Sequence, residues 1–222
     1  FVDSATVHNF MEKNGIKIDT ASLEKLSEKV NSEIVSLEKK IYEMAGQEFN
    51  INSPQQLGEI LFDKLQLKTK VKKTSGGARS TAVSELEKLR GEHPIIELIM
   101  QYRELQKLKT TYIEPFPTLI DQEDDRLHTT YNQMGTVTGR LSSQDPNLQN
   151  IPIRTELGRE FRKAFVAEEG WQLLSLDYSQ IELRVAAYLS GDQRMLEAFQ
   201  NNEDIHTRTA AEVFEISPDK VT

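Results

Sequence analysis

The sequence predicts a predominantly helical α+β fold, and three observations carry that prediction. Apolar residues recur at steps of three and four through much of the stretch before Pro115, apolar and polar residues alternate after Pro117, and helical spacing returns from Ile181 onward. A chain of 222 residues with 37% hydrophobic and 28% charged residues can bury one large core or two modest ones and lacks the composition of a disordered segment. There are no cysteines, which excludes disulfides, thiolate metal sites and a cysteine nucleophile and makes the cytoplasm the expected compartment. No apolar run approaches the roughly 20 residues of a membrane span, and no secretion signal is recognisable. The chain starts at Phe1 rather than Met, which reads as a piece of something longer.

Taken in order, Leu23, Leu26, Val30, Ile34, Leu37, Ile41 and Met44 form the stripe of a long amphipathic helix, with Asp19 as N-cap and Gly46 as its stop. Ser53-Pro54-Gln55-Gln56 opens a second helix reaching Leu65: Ser53 caps it, Pro54 suits the first turn and Gln56 completes a capping box. Between Leu67 and Thr81 the sequence has no apolar period, carries paired glycines and is basic, so a mobile, positively charged loop is expected. A short helix then runs to Arg90. Pro94 starts another, with Ile95, Leu98, Ile99, Tyr102, Leu105 and Leu108 on one face and Pro115 and Pro117 closing it. The first half is thus a helical hairpin with a basic tip.

After Pro117, Leu127, Thr129 and Tyr131 alternate as a half-buried strand does, and Trp171 to Leu176 reads as a second, apolar strand ending at Asp177. Between them Gln133 to Arg162 is long and irregular, rich in Thr, Ser, Asn, Gly, Pro and Arg; so long a structureless stretch is usually functional. Met195, Leu196 and Phe199, and then Ile205 to Phe214, mark the closing helices.

The formal net charge of -8 argues against a nucleic-acid binder, yet it is an average. Lys64, Lys68, Lys70, Lys72, Lys73, Arg79, Lys88, Arg90, Arg103, Lys107 and Lys109 outnumber the acids of the same stretch, and steps of four and six bring Arg103, Lys107 and Lys109 close together on the last helix of the hairpin. Asp177, at the end of an apolar run leading into a helix, is placed either to offer a carboxylate and a neighbouring carbonyl to a hard cation or to cap that helix.

The run LSLDYSQIELR, from Leu174 to Arg184, resembles motif A of the family A, DNA polymerase I-like DNA polymerases of bacteria. TVTGRLSSQDPNLQNIPIRTELGREFRKAF is similar to the segment before motif A, QYRELQKLKTTYIEPFP to the last thumb helix, and the likeness extends from NGIKID to DIHTRTAAEVF. The resemblance implies a thumb over residues 1–116 with a basic tip loop near 67–81, an N-terminal part of an antiparallel-sheet palm over 117–187, and the first fingers helices over 188–222. It implies template-directed DNA synthesis from a primer by two-metal nucleotidyl transfer. The partners it implies are primer–template DNA and deoxynucleoside triphosphates, the cofactor is Mg2+ (two ions in the complete enzyme), and the protein is a monomer at the bacterial nucleoid with no membrane contact.

Residue by residue, the resemblance makes Asp177 the motif A carboxylate that ligates both ions, with the backbone carbonyl of Tyr178 as a further ligand. Glu182 becomes the steric gate against a ribose 2'-hydroxyl, and Gln180, Glu182 and His206 contact the incoming nucleotide. Arg140 reaches the minor groove near the primer terminus, where every correct pair presents similar acceptors. Asn147, Gln149 and Asn150 become contacts to template or primer, and Ser80, Thr81, Arg103, Lys107 and Lys109 a grip on duplex phosphates. Plainer readings stand beside these: Glu182 as a solvated first-turn acid, His206 as a surface or capping residue, the amides as ties within their own loop, and the basic cluster as a solvated face.

Departures from the family pattern are equally visible. No segment resembles the fingers helix with its arginine, lysine and tyrosine, nor the later His-Asp-Glu segment, so these residues by themselves are expected to recognise DNA without copying it. Gly77 and Ala78 stand where relatives often carry lysine. Two other readings remain: a non-catalytic DNA-binding module, and a single-subunit RNA polymerase, which Glu182 opposes because an RNA-making enzyme should not block the 2'-hydroxyl.

Overall fold

The computed structural model describes residues 4–67, 71–73, 76, 77, 79–153 and 155–221; Lys68, Lys70 and Ala78 of the expected basic tip lie outside the described residues. The fold is α+β and predominantly helical, as the sequence predicts, and divides into two compact units, Phe1–Leu173 and Leu174–Thr222.

The first unit is built on the helical hairpin. α1 (Ser4–Asn14) and β1 (Ile16–Ile18) lead into α2 (Thr20–Ala45), whose N-cap Asp19 accepts the amide of Ser22 and whose stop, Gly46, is left-handed at φ 67°. The expected stripe is buried from Leu23 to Ile41 but closes on Ala45; Met44 sits one position off the axis of the stripe and is 41% exposed. α3 (Pro54–Gly58) continues as a π-helical turn, Glu59–Lys64. Ser53 caps α3 as expected, but the capping box is open: the Gln56 side chain accepts the amide of Asn50 at 2.7 Å, because the Ser53 amide already donates to the Asn50 carbonyl.

α4 (Val83–Leu86) and a 3-10 turn (Glu87–Leu89) follow the tip, and α5 (Ile95–Leu108) returns along α2 before widening into a π-helical turn, Lys109–Ile113. The helices are held by their apolar stripes and by a polar clasp. Tyr102 donates to Glu38 on α2 at 3.1 Å and accepts from Asn52 and Gln106, each at 3.1 Å.

The expected strand around Leu127 is two strands in two sheets. β2 (Arg126–Leu127) pairs antiparallel with β1, and β1 pairs on its other edge with β5 (Phe165–Val166). β3 (Thr130–Asn132) pairs antiparallel with β4 (Ser142–Gln144), Tyr131 facing Ser143 in register. At the interruption, buried Thr129 meets Ser143 Oγ at 2.6 Å, and its single hydroxyl proton lies within reach of the carbonyls of Gln144 and Pro146. The irregular segment from Gln133 to Arg162 therefore holds β4 and most of α6 (Glu156–Lys163). α6 brings Phe161 into an aromatic cluster with Tyr112, Phe116 and Phe165, ring centroids 5.4 to 5.7 Å from it. Gly158 makes the approach of α6 to the loop feasible, because a Cβ there would lie 2.8 Å from Pro152 Cβ.

α1 is latched to this frame by His128, whose Nδ1 lies 2.7 Å from the Glu12 carbonyl and whose Nε2 lies 3.1 Å from Asp124. Neither acceptor can donate, so only the imidazolium serves both. The Glu12 carbonyl, Asp124 and the nearby charge of Asp121 accordingly raise the His128 pKa. A raised folded-state value means that the stabilisation is full below the unfolded value, about 6.5, and is lost as pH rises through the folded one. An NMR titration of His128 is expected to give a midpoint above 6.5, with amide protection of α1 falling across it; a midpoint below that value would contradict the latch.

The second unit contains α7 (Ile181–Ser190), α8 (Gln193–Gln200) and α9 (Ile205–Phe214). Asp192 and Asp204 cap α8 and α9, Gly191 ends α7 in a left-handed conformation, and Arg184 stacks over Phe199 at 4.5 Å. Its buried apolar residues are the alanines Ala187, Ala198 and Ala211, while Val185, Tyr188, Leu189, Val213 and Phe214 are exposed. The expected strand over Trp171 to Leu176 is corrected here: these residues form neither helix nor strand and are exposed, Leu174 at 80% and Leu176 at 84%. A strand is defined by its ladder, and no described residue supplies a partner for this run.

Candidate functional site

The expected site residues fall into three groups. In the second unit, Asp177 and Tyr178 are exposed on the irregular run before α7. Asp177 does not cap α7; the N-cap is Gln180, left-handed at φ 52° and without a side-chain cap bond. The capping alternative for Asp177 is therefore not realised, and its carboxylate faces solvent. Gln180 instead reaches Asp204, donating from Nε2 at 2.6 Å, while Asp204 also accepts the Thr207 amide at 2.7 Å. Bonds to Thr207 and Gln180 and the nearby charge of His206 hold the Asp204 carboxyl below the usual range. This bond joins the entrance of α7, with Glu182 in its first turn, to the first turn of α9, which carries His206. Asp204 was not singled out in the sequence, although its position three residues before Thr207 is an N-cap signal.

Among the described residues no three His, Asp or Glu side chains are grouped as a metal site. Asp177 and the Tyr178 carbonyl are hard oxygen donors of the kind magnesium takes, and magnesium commonly uses one or two carboxylates, keeping waters and substrate phosphates for the rest. These residues fit one share of such a site and do not make a whole one.

The second group lies on the segment after β3. Arg140 and Asn147 are exposed. The Arg140 carbonyl accepts from Thr136 Oγ1 at 2.7 Å, and Asn147 Oδ1 accepts the Gln149 amide at 2.9 Å. Gln149 spans its own loop, accepting the Ser143 amide at 3.2 Å and donating to the Leu141 carbonyl at 3.1 Å, which is the tying role that stood beside the DNA-contact reading. Asn150 is exposed, and its carbonyl accepts the Tyr112 hydroxyl, anchoring the loop to the aromatic cluster.

The third group is the tip and α5. Lys107 is exposed, Lys109 lies 3.6 Å from Glu114, and Arg103 is turned inward, its guanidinium donating to the Thr81 carbonyl with Thr81 Oγ1 at 3.4 Å. Burial lowers the Arg103 pKa from its ordinary value, and Thr81 is itself buried. Lys72, Lys73 and Arg79 are exposed, and Ser80 is half-buried. Glu85, an acid in a basic stretch that the sequence gives no reason to single out, is 4% exposed and accepts the Lys72 amide at 2.9 Å.

Three comparisons bear on this arrangement. The sequence profile of DNA polymerase family A matches residues 20–222. Among curated proteins the chain is 54% identical over 211 residues to the thermostable DNA polymerase I of Thermus thermophilus, covering 95% of this chain and 25% of that protein. It is 50% identical over 213 residues to DNA polymerase I of Bacillus subtilis (strain 168), covering 96% and 24%. The chain thus spans about a quarter of the length of these relatives. Among solved structures, the POL domain of Pol1 from M. smegmatis, in complex with DNA primer-template and dNTP, matches with a TM-score of 0.84 and 41% identity, over 94% of this chain and 37% of that one.

Proposed function

The chain belongs to DNA polymerase family A, and on that premise we propose that it is the part of a DNA-directed DNA polymerase that grips primer–template duplex and contributes one metal-binding carboxylate. In this reading residues 1–116 act as the thumb, 117–187 as the first part of the palm and 188–222 as the start of the fingers. The observation that carries the proposal is Asp177, an exposed carboxylate on the run leading into α7, in the middle of LSLDYSQIELR. A solved relative held with primer-template and dNTP supports the same partners here.

Asp177 and the Tyr178 carbonyl would hold magnesium, which when bound supplies positive charge against the attacking and leaving oxygens of an in-line phosphoryl transfer. Glu182, in the first turn of α7, would crowd the sugar of the incoming nucleotide. Gln180, the N-cap residue of α7, is held by Asp204 and would contact the incoming nucleotide beside Glu182. His206, in the first turn of α9, would meet the nucleotide phosphates. Arg140, Asn147 and Asn150 present exposed donors to the minor groove and backbone near the primer terminus, and Lys107, with the tip, faces duplex phosphates. The protein would work in replication and repair as a monomer in the bacterial cytoplasm, at the nucleoid; among the described residues no helix is long and apolar enough to cross a membrane. By itself the 222-residue chain is expected to bind DNA without extending it.

A ribonucleotide competition assay on the full-length polymerase tests the site. Glu182→Ala is expected to lower discrimination against ribonucleotides by about 100-fold while leaving deoxynucleotide incorporation measurable. Unchanged discrimination would remove Glu182 from the sugar pocket and favour its reading as a solvated helix acid.

A further inference from the structure

Glu85 is a buried carboxylate in the most basic stretch of the chain, and its partners explain its presence. Its Oε2 accepts the backbone amide of Lys72 at 2.9 Å, and both oxygens accept from Lys88 Nζ, at 2.8 and 2.7 Å. These bonds hold its carboxyl below the usual carboxylate range. Lys72 is gripped on its other side too, since its carbonyl accepts the Ser80 amide at 2.8 Å. Lys73 and Arg79 form an antiparallel bridge immediately beyond, and Arg79 lies over the Phe62 ring at 4.7 Å and pairs with Asp63. Thr81 is fixed by Arg103. The two sides of the tip are therefore joined at Lys72 and Lys73, and the group that ties the Lys72 main chain to α4 is Glu85. The side chains of Lys72 and Lys73 stay exposed.

We propose that Glu85 is a positioning residue for duplex binding: by holding the Lys72 main chain it makes Lys72 and Lys73 present one preset cationic edge to DNA phosphates. This rests on the reading of the tip as a DNA grip. A carboxylate in that place would otherwise be unfavourable, since its negative charge opposes phosphate and carboxylates are seldom buried unpaired. Preset lysines lose less freedom on binding than lysines on an untied loop, so the anchor acts through affinity rather than chemistry.

The proposal separates from simple electrostatics by the order of the variants. If Glu85 acted only as a negative charge, Glu85→Leu and Glu85→Gln would both tighten binding, and Glu85→Asp would match the unsubstituted protein. Positioning requires instead that Glu85→Gln, which keeps an acceptor for the Lys72 amide, stays near the unsubstituted affinity. It also requires that Glu85→Asp, which keeps the charge but withdraws the acceptor, and Glu85→Leu both weaken binding. Fluorescence anisotropy of the full-length protein on a labelled primer–template duplex, without nucleotide, over a series of salt concentrations reads both affinity and salt slope.

The expected outcome is a slope of log affinity against log salt that falls by about one to two for Glu85→Leu and Glu85→Asp, as it does for the double substitution Lys72→Ala and Lys73→Ala. Tighter or unchanged binding by both Glu85→Leu and Glu85→Asp overturns the proposal while the lysine variant still validates the tip. An unchanged slope for the lysine variant removes the tip from the interface and the proposal with it. Should Glu85→Leu fail to fold, Glu85→Asp against Glu85→Gln decides alone.

Discussion

Asp177→Ala in the full-length polymerase is expected to lower single-nucleotide primer extension by about 10³-fold or more while leaving primer–template affinity within about twofold. The size follows from what the carboxylate would supply: anchoring of cationic charge against oxygens that become more negative in the transition state is worth several kcal/mol, and each 1.36 kcal/mol is tenfold in rate. The selectivity follows from the structure. Asp177 is exposed and does not cap α7, so its loss leaves no cavity and no unsatisfied amide, and thermal unfolding should be unchanged. Quenched-flow extension paired with anisotropy on the same duplex separates the two effects. Robust extension by the variant would remove Asp177 from the chemistry.

The second large effect is on stability. Phe161→Ala is expected to destabilise the first unit by about 3–5 kcal/mol in urea denaturation. Phe161 is 0% exposed and meets Phe116, Tyr112 and Phe165 at once, so truncation leaves a cavity walled by three rings that are themselves tied to different elements. Phe165 belongs to β5, Phe116 follows α5, and Tyr112 carries the hydrogen bond that anchors Asn150. The lost stability should therefore be accompanied by weaker duplex binding through the Asn147 to Asn150 loop. A cost below about 1 kcal/mol would mean that the rings collapse into the space without strain.

The helical hairpin was legible because its signals are local. An i, i+3, i+4 stripe, an N-cap Asp19 and a left-handed Gly46 need no knowledge of the rest of the chain, and the exchange of Met44 for Ala45 is a step of four from Ile41 in place of a step of three. What failed was tertiary. Trp171 to Leu176 has the composition of a strand, but a strand needs a ladder partner and none is present among the described residues. Leu127, Thr129 and Tyr131 alternate as one strand, yet Leu127 pairs with β1 and Tyr131 with β4, partners that only the fold brings up.

At the site the same division holds. Asp177 and Glu182 are proposed from the contiguous run LSLDYSQIELR and His206 from the separate run DIHT, so the proposal for each needs only local sequence. Arg103 could not be read as half-buried, because its partner Thr81 is brought to it only by the fold of the tip. Gln149 offers an amide that sequence leaves free to contact either DNA or its own loop, and the structure shows it spanning Leu141 and Ser143. Glu85 is one acid within a basic stretch, and nothing local announces that it is buried and paired.

If duplex recognition is separable from synthesis, a single titration shows it. The 222-residue chain, with a labelled primer–template, Mg2+ and deoxynucleotides, is followed by anisotropy and by gel over a series of salt concentrations. The expected result is binding whose affinity falls steeply and linearly in log salt, with no extension of the primer. Extension by this chain alone, or no duplex binding even at low salt, would contradict it.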